Sequence, residues 1–240
     1  MILCNVWDAV TARIVAGVPG VKAIASASHG VSFARGVPDG EGLTVDEALA
    51  AAREIAAATR LPVTIDFERA YAHDASGVRT NVGRLIETGA VGLNLEDTRD
   101  GSDLFPLALA ADRVAAARAA GEDAGVPIVI NARADSLVRG EAWADVVARA
   151  DAYLAAGADS IFVLGLRTED DVKRALDDID GRVAVISNAT SVPLRRLAEL
   201  GVSRVSFGPR IMGLALSHIR DAAEQLTALG EYPPELDFAY

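Results

Sequence analysis

PVTIDFERAY, Pro62 to Tyr71, decides how the chain folds. Its first half, Val63, Thr64 and Ile65, has the β-branched, apolar character of a buried strand. Asp66 and Glu68 follow where that strand should end, and alternation along a strand puts both on one side. Two acids at the exit of a buried strand need either a counter-charge or a task.

Seven more runs of the same kind lie around it: Ile2–Val6, Val21–Ser26, Val91–Glu96, Pro127–Arg133, Ser160–Gly165, Val183–Ser187 and Arg204–Gly208. Between them are Ala-rich segments with helical spacing. In TVDEALAAAREIAAAT, Thr44 is the N-cap and Glu47 completes a capping box. LALAADRVAAARAAGEDAG and WADVVARADAYLAAGAD run into glycines that suit helix ends. Helices alternating with apolar strands predict parallel pairing with both sheet faces covered. Eight such units predict a single α/β domain over residues 1–240, a (β/α)₈ TIM barrel, with 231–240 as a C-terminal tail. The alternative, a doubly wound open sheet, lacks a G-x-G-x-x-G after its first strand.

Of the 240 residues, 51% are hydrophobic, enough for a large core, and 34 acids against 23 Lys and Arg give a net charge of −11. With no basic cluster to meet phosphates, no nucleic-acid partner is expected. No apolar run is long enough to span a membrane and no basic leader opens the chain, so neither membrane association nor a signal peptide is expected. Cys4 is the single cysteine, which excludes an internal disulfide and a Cys-rich zinc site. The expected location is cytoplasmic.

In a barrel the C-terminal ends of all strands meet at one mouth. The sequence would place there Trp7 and Asp8, then Ser28 and His29 with Asp39 in the next loop, then Asp66 and Glu68, Asn94, Glu96 and Asp97, Arg133 and Asp135, and Asn188. Acids at strand ends also cap helices, and Asp8 is expected to do so. Asp66, Glu68 and Glu96, with Asp39 near them, would repel one another unless neutralised. A hard divalent cation, Mg²⁺ or Mn²⁺, takes oxygen ligands and leaves positions for a substrate. Arg133 beside it could receive a substrate carboxylate through its planar fork. His73 falls in a loop, His218 in the last helix, and no paired-His metal spacing occurs.

Several segments together resemble the isocitrate lyase/phosphoenolpyruvate mutase superfamily over nearly the whole chain. They are NVWDAVTARI, GVPDGEGLT, DFERAY, VGLNLED, INARAD and LAELGVSRVSFGP. The resemblance implies a Mg²⁺-dependent barrel enzyme, a lyase or hydrolase acting on a small 2-oxo or 2-hydroxy acid through an enolate. The runner-up is a carbon–phosphorus bond enzyme; a non-catalytic metabolite-binding barrel is a third reading. It implies Asp66 as the main metal ligand, with Glu68 and Glu96 acting through waters. It makes Asp39 and Arg133 the catalytic pair and sets Trp7, Ser28, His29, Asn94 and Asn188 around a small anionic metabolite. It also implies a homo-oligomer, dimer or tetramer, built on the apolar last helix, Pro209 to Leu229. The sequence departs from the family pattern at Glu68, where an aspartate is usual, at Ala70 and Ala72, where glycines are usual, and at Ala27 for serine. The lyases' Cys-containing catalytic loop and the mutases' longer gating loop are absent; DTRDGSDLFPLALA stands there instead. Inward-pointing Arg99, Asp100 or Asp103 would mark that loop as part of an enzyme site.

Overall fold

Met1 and the residues after it form not one strand but two. In the computed structural model, which describes residues 1–99 and 103–237, β1 (Ile2–Leu3) and β2 (Asn5–Val6) flank Cys4. β1 pairs in parallel with β9 (Arg204–Ser206), and β2 with β3 (Ile24–Ser26). The other strands are β4 (Val63–Asp66), β5 (Gly92–Glu96), β6 (Val129–Ala134), β7 (Ser160–Val163) and β8 (Val183–Ile186). All pair in parallel in sequence order, so the broken first strand closes the sheet on itself. The eight predicted runs are all strands, and the ninth segment is the break at Cys4. The chain is a single-domain (β/α)₈ barrel.

Helices α1 (Ala9–Ala16), α2 (Ser28–Ala34), α3 (Val45–Ala57), α4 (Ala75–Ile86) and α5 (Leu107–Asp123) follow the early strands. α6 (Trp143–Ala155), α7 (Glu169–Asp178), α8 (Leu194–Leu200) and α9 (Arg210–Thr227) complete the ring. Two of them start as their sequences dictate. Asp8 caps α1, and Thr44 with Glu47 forms the reciprocal capping box of α3. Their apolar stripes pack on the outward residues of the strands, such as Ile65, Leu93, Leu95, Ile130 and Ile161, all 5% exposed or less. Of the expected tail, Pro234–Asp237 makes one 3₁₀ turn. Among the described residues no helix is long and apolar enough to cross a membrane.

The barrel interior is polar. Register makes direct cross-strand neighbours of Asp66 and Asn94, of Asn94 and Asn131, and of Glu96 and Arg133. Asn94 donates to Asp66 Oδ1 at 3.1 Å and accepts from Asn131 at 2.9 Å; Asn131 in turn accepts from Ser160 Oγ. Arg204 reaches across from β9 to Asn94 Oδ1 at 3.0 Å. A polar chain thus passes from strand to strand inside the barrel and ends on Asp66.

Candidate active site

Asp66 is the last residue of β4. Its Oδ2 accepts from the Ser28 amide at 3.0 Å and the Ser28 hydroxyl at 2.9 Å, while Asn94 holds Oδ1. The carboxylate therefore has one fixed orientation before any ligand arrives. Ser28 lines the mouth, yet its N–H and hydroxyl are turned onto Asp66.

Glu68 reaches the site by another route than strand alternation. The strand has ended, and Glu68 has φ +49°, with Ala70 at +58° and Tyr71 at +53°. Three non-glycine residues in the left-handed region need outside support. Arg113 of α5 supplies it. It is 1% exposed, lies over the Phe105 ring at 4.0 Å, and donates to the carbonyls of Arg69 and Ala72 at 2.6 Å each. The loop after α2 closes the other side. Glu41 donates its amide to Glu68 Oε2, accepts from the Tyr71 amide at 2.7 Å, and pairs with Arg69 at 2.9 Å. The Tyr71 hydroxyl donates to Glu68 Oε1 at 3.1 Å.

Burial, then the Asp39 charge, pushes Glu68 up to about 7. Burial pushes Glu96 up to about 8, against the pull of Arg133. Among the described residues no basic side chain pairs with Glu68.

Arg133 is clamped. Its Nε and Nη2 form a fork on Asp135 at 2.7 and 2.9 Å, and Nη1 meets Glu96 at 2.7 Å. These neighbouring carboxylates hold its pKa above the usual arginine value despite burial. Asp135, 0% exposed, is fixed by the Thr98 hydroxyl and by donating its amide to Asp97. Asp97 is held by the Tyr153 hydroxyl and Arg149. Two of the five guanidinium N–H groups of Arg133 are hydrogen-bonded to Asp135, Nη1 is in ion-pair contact with Glu96, and N–H groups remain on the terminal nitrogens.

The mouth is a cavity of about 320 Å³ lined by Asp39, Glu68, Glu96, Arg69, Arg133 and Arg139 among others. Of the residues expected around substrate, Asn94 lies just below it, in the polar chain. His29 is half-exposed at the rim, 3.5 Å from Asp39. Trp7 packs against the core beside Gly30, and Asn188 caps its own loop by accepting from Thr190; neither lines the cavity. Arg99 and Asp103 pair with each other at 3.1 Å, and Asp100 lies outside the described residues. Asp135, which the sequence grouped at this strand end, lies one residue beyond β6 and clamps Arg133. Arg113 had a sequence signal, because it occupies the apolar stripe of α5 between Ala110 and Ala117. Glu41, Arg69 and Arg139 lie on loops or turns and had none.

The family model for phosphoenolpyruvate phosphomutase matches residues 1–227. An oxaloacetate decarboxylase of Chromohalobacter salexigens is 30% identical over 85% of this chain and 72% of its own length. Oxaloacetate decarboxylase 1 of Pseudomonas fluorescens is 28% identical over 82% of this chain and 70% of its own. A crystal structure from Burkholderia cenocepacia J2315 superposes with a TM-score of 0.88 at 38% identity, over 93% of both chains.

Proposed function

The chain belongs to the phosphoenolpyruvate phosphomutase family, and we propose that it is a Mg²⁺- or Mn²⁺-dependent enzyme cleaving a carbon–carbon bond of a small 2-oxo or 2-hydroxy acid. Within that family it is an enzyme; the reaction is our reading. The observation that carries it is the juxtaposition of Glu68 and Glu96 with a clamped Arg133 on one cavity, with Asp66 held behind it by Ser28, which lines it.

The residues fit a hydrated divalent cation. Among the described residues no three His, Cys, Asp or Glu side chains converge closely enough to cage a metal. Mg²⁺ does not ask for a cage: it keeps several waters and takes one or two carboxylates. The donor set is all oxygen, and two glutamates held up toward neutrality would return to carboxylates beside a cation. Asp66 would hold the ion directly, with Glu68 and Glu96 through water. When bound it would supply electrophilic stabilisation of a developing enolate oxygen. Arg133 binds and orients the substrate carboxylate with N–H groups not taken by Asp135. Arg69 and Arg139 add positive charge facing a second anionic group. Asp39, at the open side, is placed to exchange a proton with substrate. Oxaloacetate has this pattern of charges, and release of pyruvate from it with Mg²⁺ tests the proposal; no turnover of it or of related 2-oxo and 2-hydroxy acids would overturn it.

Arg133→Lys keeps the charge and loses the fork. Oxalate, an enolate mimic, should then bind more weakly by about 1.5–3 kcal/mol, the range for a charged hydrogen bond. Titration of both proteins at saturating Mg²⁺ measures this, and unchanged affinity would leave Arg133 a structural counter-ion to Glu96 and Asp135.

Three guanidinium groups on one small cavity also suit a phosphonate dianion, which favours carbon–phosphorus chemistry as the second reading. Turnover of phosphonopyruvate in preference to oxaloacetate would select it.

The same proposal includes a cytoplasmic homo-oligomer. On α9 only Met212 is buried, while Leu214, Leu216 and Ile219 are 59%, 42% and 65% exposed. Leu216 and Ile219 share one face, three residues apart, with Leu214 on another, and this much exposed apolar surface on one helix fits a subunit contact. Light scattering at micromolar concentration should give a dimer or tetramer; a monomer refutes it.

A further inference from the structure

At the opposite end of the barrel, where the strands begin, lies a second cavity of about 320 Å³. Its walls are largely apolar, made by Leu3, Ala23, Val63, Val91 and Val129. Gly92 lets that wall pack closely, since an added Cβ would come within 3.0 Å of Thr64 Oγ1. The volume is at the lower end of the range for small-molecule sites.

Arg204 lines the inner end of this cavity, and its guanidinium reaches on up the barrel to Asn94. Among the described residues only its Nη2 has a hydrogen-bond partner, Asn94 Oδ1, and the enclosed Nε has none. Asn94 is held by Asp66 and Asn131, so it cannot turn to offer more. Among the described residues no carboxylate lies within ion-pair distance of Arg204. Burial depresses its pKa to about 10, against the pull of Asp66. A desolvated guanidinium with open donors is costly unless something anionic completes it.

Two more cations, Lys22 and Arg182, line the cavity, and neither forms an ion pair among the described residues. Asp159, the acid there, is already bound to Arg118 and the Ile130 amide. On a chain of net charge −11 this concentration of positive charge stands out from the surroundings. Apolar walls with a cation at the deep end match an anionic head on a short hydrocarbon body.

We propose that the strand-start end of the barrel is a second ligand site, for a small aliphatic carboxylate whose head group meets Arg204. The site lies at the other end of the barrel from the catalytic mouth, joined to it only through the Arg204–Asn94–Asp66 hydrogen bonds, and does not depend on which reaction occurs there.

Butyrate is the probe, because it has the head group and the short chain but no 2-oxo group to chelate a metal. Calorimetry should show one butyrate per chain, bound equally by wild type and Arg133→Lys. In Arg204→Met affinity should fall about tenfold or more, the loss of a charged hydrogen bond. Should Arg204→Met not fold, Val129→Trp fills the cavity from a half-exposed strand start and should abolish binding. Retained affinity in Arg204→Met or Val129→Trp overturns the proposal. So does loss of binding in Arg133→Lys, which would place butyrate at the other mouth. Equal binding of butanol or of inorganic phosphate overturns the assignment of an organic anion.

Discussion

Asp66→Ala is expected to weaken Mg²⁺ binding by more than about 100-fold, beyond the loss typical of an outer-sphere partner. Asp66 is the acid held by three hydrogen bonds, from the Ser28 amide, the Ser28 hydroxyl and Asn94. Its removal takes away the proposed direct ligand, and although losing its negative charge eases ionisation of Glu68 and Glu96, neither is oriented by donors as Asp66 is to replace it. Asp66→Asn is no gentler. Its amide must turn one NH₂ toward either the Ser28 N–H or the Asn94 NH₂, and Asn94 is fixed by Asn131 and Arg204. Calorimetry with Mg²⁺, and the loss of free Mn²⁺ signal in electron paramagnetic resonance, measure the effect without a substrate. Equal affinity in wild type and Asp66→Ala would remove Asp66 from the metal site.

The largest loss of stability is expected from Arg113→Met. Methionine preserves much of the stem's packing but donates nothing to the carbonyls of Arg69 and Ala72. Leaving two part-buried carbonyls unpaired costs up to about 1–3 kcal/mol each. The cation–π contact with Phe105 is lost as well, while the cost of burying the guanidinium disappears. The net expectation is about 3 kcal/mol, or a melting temperature lower by about 6–12 °C for a domain of this size. The released segment is the left-handed turn that carries Glu68, so Mg²⁺ affinity should fall too. Urea denaturation gives the stability; a change below about 0.5 kcal/mol, the scale of an ordinary surface substitution, would mean that the turn supports itself.

The barrel was legible because fully apolar strands and Ala-rich helices alternate without a break, and few folds satisfy that pattern. The break at Cys4 was not, because nothing in ILCNV marks an interruption. Strand ends were legible as a set of positions, which is why Asp66, Glu96 and Arg133 could be grouped; what they bind is a matter for experiment. Side-chain direction beyond a strand's last residue was not legible. Glu68 arrives by a left-handed turn, Trp7 goes to the core, and Asn188 folds back onto its own loop. Glu41 could not be read at all, since its role depends on a loop meeting a turn 27 residues later.

The divided first strand also sets the order of events during synthesis. β2 can pair with β3 once about 26 residues are free, but β1 waits for β9, joined to it through Ile2↔Val205 and Leu3↔Ser206. At a ribosomal rate of about 5–20 residues per second, that wait is about 10–40 s. Throughout it the cylinder has an open seam, with the unpaired edge of β1 facing the solvent. Sealing the seam is a contact between the two ends of the sequence, the slowest kind of pairing to find by diffusion. By letting its halves dock at different times, the interrupted strand commits one side early and keeps the other in reserve until the last strand arrives.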